Sequence, residues 1–224
     1  MKNLQIARWS EAAGEAKAVP DFILDKGDVT EDIDGCYVVS PMADRTHIEA
    51  LMAAGARQVL IGEAALLDSK LVSDVVKQYG GECIGIWLPV RRASANWSLD
   101  RESNADFSFV SISTPLARWM ALRNDGSLTD VDALWWAGEM LKAGCSSVMV
   151  SVDDPQDDDL LACAEMSEIA ADHFWLDTGS ADVEELRFWV KYGHVQQLIV
   201  PAESNIDELL VDLNKRLIQE SAVG

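Results

Sequence analysis

Short apolar runs rich in β-branched residues alternate along this chain with segments of helical periodicity, and that alternation leaves few folds open. Candidate strands fall at Phe22-Ile23-Leu24, Tyr37-Val38-Val39, Val59-Leu60-Ile61, Ile84-Gly85-Ile86-Trp87, Phe107–Ser113, Val148-Met149-Val150, Phe174-Trp175-Leu176 and Leu198-Ile199-Val200. Several are apolar at consecutive positions, the pattern of strands covered on both faces. Between them helices are expected at about 45–54, 69–79, 129–143, 157–170, 182–192 and 205–220. Asp44, Asp68 or Ser69, Thr129, Ser180 and Ser204 stand where caps are needed at their starts, and Gly55, Gly80, Gly144 and Gly193 follow their ends.

Strand-then-helix repetition with short links implies a parallel sheet with right-handed crossovers. Eight such strands close as a (β/α)8 barrel, here one domain over residues 1–224. The barrel is expected to be shortened at its N-terminus, because residues 1–35 have no room for a full helix between strands. It carries a long excursion at about 91–128, which includes Trp97, Trp119 and Asn124-Asp125-Gly126. A doubly wound open parallel sheet is the alternative. No Gly-x-Gly-x-x-Gly follows a candidate strand, so a dinucleotide-binding domain lacks its fingerprint.

Charge narrows the partners. Eighteen basic against thirty-eight acidic residues give a net charge of −20. Such a surface repels phosphate backbones and anionic lipid, so neither nucleic acid nor membrane is an expected partner. The longest apolar runs fall short of a membrane span, and Met1-Lys2-Asn3-Leu4-Gln5 lacks the pattern of a signal peptide, so a cytoplasmic protein is expected. Cys36, Cys83, Cys145 and Cys163 are widely spaced and without clustered histidines; they read as reduced thiols, with no metal site and no cofactor.

Two stretches carry a family resemblance. Ala54-Gly55-Ala56-Arg57-Gln58-Val59-Leu60-Ile61-Gly62-Glu63-Ala64-Ala65 resembles the end of the third helix and the fourth strand of the HisA/HisF barrels of histidine biosynthesis, which are ribulose-phosphate-binding barrels. Asp177-Thr178-Gly179-Ser180-Ala181-Asp182 resembles their seventh strand and its phosphate loop, and Asn124-Asp125-Gly126-Ser127-Leu128 the linker into their fifth helix. The likeness runs over roughly residues 36–205. It implies a phosphosugar-binding barrel, and for the HisA branch a ProFAR isomerase with a general acid and a general base at the ends of the first and fifth strands.

The residues at those positions depart from the pattern. The fifth-strand acid corresponds to Pro89 and the first-strand acid to Arg8 or Trp9, with Glu11 or Asp25 as substitutes that nothing singles out. Of the four anion loops, one reads Ser40-Pro41-Met42, one Val200-Pro201-Ala202-Glu203, and one keeps Gly62 but follows it with Glu63. Proline removes a donor amide and glutamate opposes a phosphate. Thr178-Gly179-Ser180 alone keeps the chemistry of an oxyanion site, so phosphate binding is assigned to Thr178, Gly179, Ser180 and Gly62.

The expectation is therefore a divergent isomerase-family barrel that no longer performs the ProFAR reaction and takes a small phosphorylated metabolite. Its acid/base candidates are Asp153, Asp154 and Asp177, all at strand ends on the face where barrel enzymes place their catalysis. If it is an enzyme, it is an isomerase or lyase of the phosphosugar type. The alternative is a non-catalytic barrel serving as scaffold or complex subunit. For that reading, Trp136 and Met140 are expected to project outward from the 129–143 helix and to form a homodimer or partner interface, because Val131, Leu134, Trp135 and Leu141 share its other face.

Overall fold

The computed structural model describes residues 4–11, 19–27, 33–93, 100–104, 107–111 and 118–221. Twelve strands occur among them: β1 (Gln5–Ser10), β2 (Asp21–Leu24), β3 (Tyr37–Ser40), β4 (Gln58–Ile61), β5 (Ile84–Arg92), β6 (Asp100–Asn104), β7 (Phe107–Ser111), β8 (Trp119–Leu122), β9 (Leu128–Asp132), β10 (Ser147–Val152), β11 (Phe174–Asp177) and β12 (Gln197–Val200). Seven α-helices accompany them: α1 (Arg45–Ala53), α2 (Glu63–Leu67), α3 (Ser69–Tyr79), α4 (Ala133–Lys142), α5 (Asp159–Ala170), α6 (Val183–Tyr192) and α7 (Ile206–Ser221).

Eight strands run parallel in the order β1-β2-β3-β4-β5-β10-β11-β12, and β12 returns to β1 with Ala7 opposite Ile199. The sheet is closed, so the chain is a (β/α)8 barrel and not an open doubly wound sheet. One expected strand moves. Phe107–Ser111 is a strand, but it pairs only with β6 as an antiparallel ribbon, and the barrel position falls to Gln5–Ser10 instead. Residues 112–113 of that expected strand, and Trp97, lie outside the described residues.

The excursion after β5 continues the sheet. β8 pairs antiparallel with the extended end of β5, Arg91 opposite Met120, and β9 pairs back onto β8. This corrects the reading of the helix that follows. Thr129 to Asp132 belong to β9, and α4 starts at Ala133 with the Asp132 carboxylate capping the Trp135 amide at 2.9 Å. With Val131 in a strand, the apolar stripe assigned from residue 131 is out of phase. Trp136 and Met140 point inward and are buried, whereas Trp135 is 59% exposed. They form no outward interface.

Two apolar shells hold the barrel together. The outer one lies between strands and helices and includes Ile48, Leu51, Val72, Val75, Met166, Leu186 and Leu213. The inner one fills the barrel with Ala7, Phe22, Val39, Leu60, Met149, Trp175 and Ile199, flanked by Trp9, Tyr37 and Trp87. Phe22 stacks on Tyr37 at 4.8 Å and meets Trp175 edge-on at 5.2 Å. A fully buried aromatic of this kind contributes about 1.5–3 kcal/mol. At the amino end of the strands the interior turns polar. Gln58 accepts a hydrogen bond from Ser147 Oγ at 2.6 Å and donates to Ser146 Oγ at 2.7 Å, which satisfies groups that would otherwise be costly to bury.

No helix among the described residues is long and apolar enough to cross a membrane. The four cysteines are free; burial pushes the Cys145 thiol up to about 12 and raises that of Cys163 as well, which suits inert packing groups.

Candidate functional site

At the carboxyl ends of the strands the inward side chains become polar, and four of them are linked. Asp177 ends β11 and is 8% exposed. Its Oδ2 accepts from the Trp9 indole Nε1 at 3.1 Å and from the Ser151 hydroxyl at 3.1 Å, and its Oδ1 accepts from the Gly179 amide at 2.9 Å. Ser151 in turn accepts from the Trp87 indole at 2.9 Å. The alternation of each strand places these groups: Trp9 follows Ala7 on the inward face of β1, Ser151 follows Met149 on β10, and Asp177 follows Trp175 on β11. Burial raises the Asp177 carboxyl above the usual carboxylate value, against the three hydrogen bonds that favour its charged form.

Beside this relay lies a cavity of about 440 Å³. Trp87, Pro89 and Arg91 of β5 line one side, and Ser151, Val152 and Asp153 another. Leu122, Arg123, Asn124 and Gly126 of the β8–β9 connection line a third. Pro89 thus faces the mouth at the position where the resemblance puts a carboxylate. At the first-strand position Trp9 faces inward, and Arg8 turns to the outside to pair with Asp21 at 3.0 Å.

The other expected acids sit elsewhere. Asp153 is on the rim, bound to Arg91, whose Nε donates to Oδ2 at 2.7 Å. Asp154 is exposed in the following loop with a left-handed backbone (φ 54°), and its carboxylate accepts from Gln156 at 3.2 Å. Of the three only Asp177 is buried, beside the cavity that Asp153 lines.

The Thr178-Gly179-Ser180 loop is folded back on the strand it follows. The Gly179 amide is spent on Asp177, and Ser180 Oγ accepts from the Asp182 amide at 3.1 Å. Asp182, not Ser180, caps α6. Thr178 Oγ1 is buried without a hydrogen-bond partner, and so is Ser204 Oγ in the loop after the adjacent strand β12. Gly62 is otherwise engaged. Its amide donates to the Ser40 carbonyl at 3.0 Å, and a Cβ there would lie 2.8 Å from Trp87 and 2.9 Å from Pro41. It is a packing glycine.

A second polar cluster joins the ends of β2 and β3 to α1. Asp25 Oδ2 accepts from Ser40 Oγ at 2.5 Å and lies 2.6 Å from His47 Nε2, while Oδ1 accepts from the Gly27 amide. Burial raises this carboxyl, but the hydrogen bonds from Ser40, Gly27 and His47 outweigh it and hold it below the usual value. Among the described residues no group of three or more His, Cys, Asp and Glu is arranged to hold a metal ion.

A closed (β/α)8 barrel with a buried carboxylate and a cavity at the carboxyl ends of its strands places the chain in the (β/α)8-barrel class of folds. The chain belongs to the family described as "Histidine biosynthesis protein", whose profile matches residues 42–154. It is similar to the imidazole glycerol phosphate synthase subunit HisF of Methanosphaerula palustris, with 26% identity over 106 residues. That match covers 46% of this chain and 37% of the HisF subunit, so the chain spans little more than a third of the relative's length.

Sequence reasoning missed Trp9, Ser151 and Trp87. One signal was available: a serine in the otherwise apolar run Ser147–Val152 marks a strand position that has to find a polar partner.

Proposed function

We propose that this protein binds a small phosphorylated metabolite in the barrel mouth, that Asp177 is its proton-transferring group, and that it does not catalyse the ProFAR rearrangement. The observation that carries the reading is the pair Asp177–Thr178. It joins a buried carboxyl held at the mouth by Trp9 and Ser151 to a neighbouring hydroxyl with no protein partner. An unpartnered buried hydroxyl costs stability unless a ligand or water satisfies it. Thr178 with Ser180 is therefore assigned to the phosphate. Pro89 in the mouth supports the loss of the ProFAR chemistry, since it offers no proton at the fifth-strand position. Asp177 is the buried carboxylate available to replace it, since Asp153, which lines the cavity, is paired with Arg91.

The test is a thermal-shift screen with inorganic phosphate and with ribose and ribulose phosphates. A ligand at a hundred times its Kd adds about 2.7 kcal/mol, which at this chain length raises Tm by roughly 5–10 °C. The shift should vanish in Thr178→Val. With a turned-over substrate, Asp177→Asn should abolish turnover and keep binding. A flat response across the panel would overturn the reading.

One observation favours the second reading, a non-catalytic subunit. Trp135 lies 59% exposed beside a groove between α4 and α5 lined by Leu134, Ala162, Met166 and Ile169. The similar HisF protein is itself named as a subunit.

A further inference from the structure

We propose that two copies of this chain pair about a twofold axis through the α4–α5 groove, the exposed Trp135 of each seated in the notch that Gly138 leaves in the other. This rests on the reading of that groove as an interface and names what fills it.

The groove measures about 380 Å³ and takes its apolar lining from Leu134 and Trp135 of α4 and from Ala162, Met166 and Ile169 of α5. Leu161, about two turns before Ile169 on α5, is exposed as Ile169 is and extends the apolar surface. Gly138 stands in the middle of α4 and lines the same groove. Glycine is the poorest helix former after proline, so a helix interior holds one at a cost in stability. Nothing inside the chain requires it here. The backbone is ordinary helix, and a Cβ at this position would meet only Ile169 Cγ2, at 4.0 Å. Gly62 is the contrast, since a Cβ there strikes Trp87 and the Pro41 backbone. The notch at Gly138 is open to whatever arrives from outside.

The matching knob is on the same helix. Trp135 precedes Gly138 by three residues, which puts both on one face of α4, and its indole is exposed. A twofold axis crossing α4 between the two residues lays the helices antiparallel and sets each Trp135 over Gly138 of the other copy. Isologous pairing requires a self-complementary patch of this kind. A large aromatic seated in a central pocket is also the usual anchor of an interface.

Charge selects the same occupant. The chain carries 38 acidic residues against 18 basic ones, so its surface at large repels a second copy. The groove departs from that balance. Its walls hold Arg118 and Lys142 against Asp132, Glu139 and Glu165, and Arg118 pairs with Asp132 while Lys142 pairs with Glu139. A basic partner gains little from so nearly neutral a surface, whereas two acidic chains can meet there with little repulsion. Fit, not charge, chooses the occupant, and both halves of the fit are in this chain.

The experiment is analytical ultracentrifugation of the full chain over a wide concentration range, at low and at high salt. Wild type should dimerise reversibly, and more tightly in high salt, which screens the repulsion between like-charged copies. Trp135→Ala should weaken the dimer at least about thirtyfold, the loss expected of an interface hot spot. Gly138→Leu should also leave monomers, yet in dilute solution its melting temperature should not fall, because leucine favours helix and a Cβ has room. Mixed in equal amounts, the two variants should pair again. One Trp135–Gly138 contact is then kept, and in the other the added leucine fills the space the tryptophan left. A merely structural role for either residue gives no such rescue. A monomeric wild type overturns the inference and counts against the groove as an interface. A dimer that survives both substitutions, or variants that stay apart when mixed, overturns the twofold seating and leaves the subunit reading to another surface or partner.

Discussion

The indole nitrogen of Trp9 lies 3.1 Å from Oδ2 of Asp177, 168 residues further along the chain. Strand β12 stands between β1 and β11 in the sheet, so this bond crosses the inside of the barrel instead of following its wall. It ties the first strand to the seventh at the mouth and holds the buried Asp177 carboxylate in place. Removing the donor in Trp9→Phe keeps most of the ring packing and leaves Asp177 with Ser151 and Gly179. Stability should fall by about 1–3 kcal/mol, read from urea unfolding.

Asp177 also makes stability depend on pH, in a direction its environment fixes. Its native pKa is raised above 3.8, the value expected for the unfolded chain. Between those two values the native state holds the extra proton, so wild-type stability falls as pH rises through that window. Asn cannot ionise. The stability of Asp177→Asn relative to wild type should therefore improve as pH climbs from below 3.8 through the native value. Urea midpoints across acidic pH check this, and a difference that does not move with pH would remove Asp177 as a proton-linked group.

Asp25 behaves in the opposite sense. Its native pKa is lowered by Ser40, Gly27 and His47, so its contribution is fully present above pH 3.8 and is lost as pH falls through the native value. Asp25→Asn should cost about 1.5–3 kcal/mol at neutral pH, the worth of hydrogen bonds to a charged group. The cost should shrink at the acid end. The same melts that follow Asp177 measure it, and a penalty that persists unchanged in acid would show that the carboxylate charge is not what holds β2 and β3 to α1.

Most of the barrel was legible because seven of its strands are short runs of consecutive apolar residues, five of them followed directly by a helix. The first strand, Gln5–Ser10, was reached only through the family resemblance, since Gln5, Arg8 and Ser10 break its apolar run. The excursion was misread for a physical reason. Leu128–Asp132 reads Leu-Thr-Asp-Val-Asp, which in sequence is as good a helix entry as a strand; the sheet edge offered by the long β5 decided it. That shift reversed the face given to Trp136. In the site, Asp177 stood out as a carboxylate at a strand end. Its partners did not, because closure of the barrel brings together Trp9, Trp87 and Ser151 from three strands distant in sequence.

Gly62 separates packing from ligand binding. A methyl group there meets the Trp87 ring at 2.8 Å and the Pro41 backbone at 2.9 Å, and a backbone cannot yield as a side-chain tip can. Gly62→Ala should therefore destabilise the fold by about 1–3 kcal/mol, as measured by denaturant unfolding. Phosphate affinity, measured below the melting transition, should stay within error of wild type. A stable variant that has lost phosphate binding would instead return Gly62 to the anion site.

The neighbours Trp135 and Trp136 divide cleanly between surface and core. Trp136 is 8% exposed and packs in the outer shell, yet its indole Nε1 is buried without a partner; Trp135 is 59% exposed on the adjacent face of α4. Trp136→Ala should cost about 3–5 kcal/mol, the usual penalty for truncating a buried aromatic. Trp136→Phe should cost clearly less, because it removes an unsatisfied donor along with part of the ring. Trp135→Ala should change stability by no more than about 0.5 kcal/mol, as exposed substitutions usually do. If the barrel serves as a subunit through the α4–α5 groove, Trp135→Asp should release the partner or second copy, read as a fall in mass by light scattering, with the melting temperature unchanged. Wild type and variant that scatter alike as monomers would leave Trp135 a solvent-facing residue and count against the subunit reading.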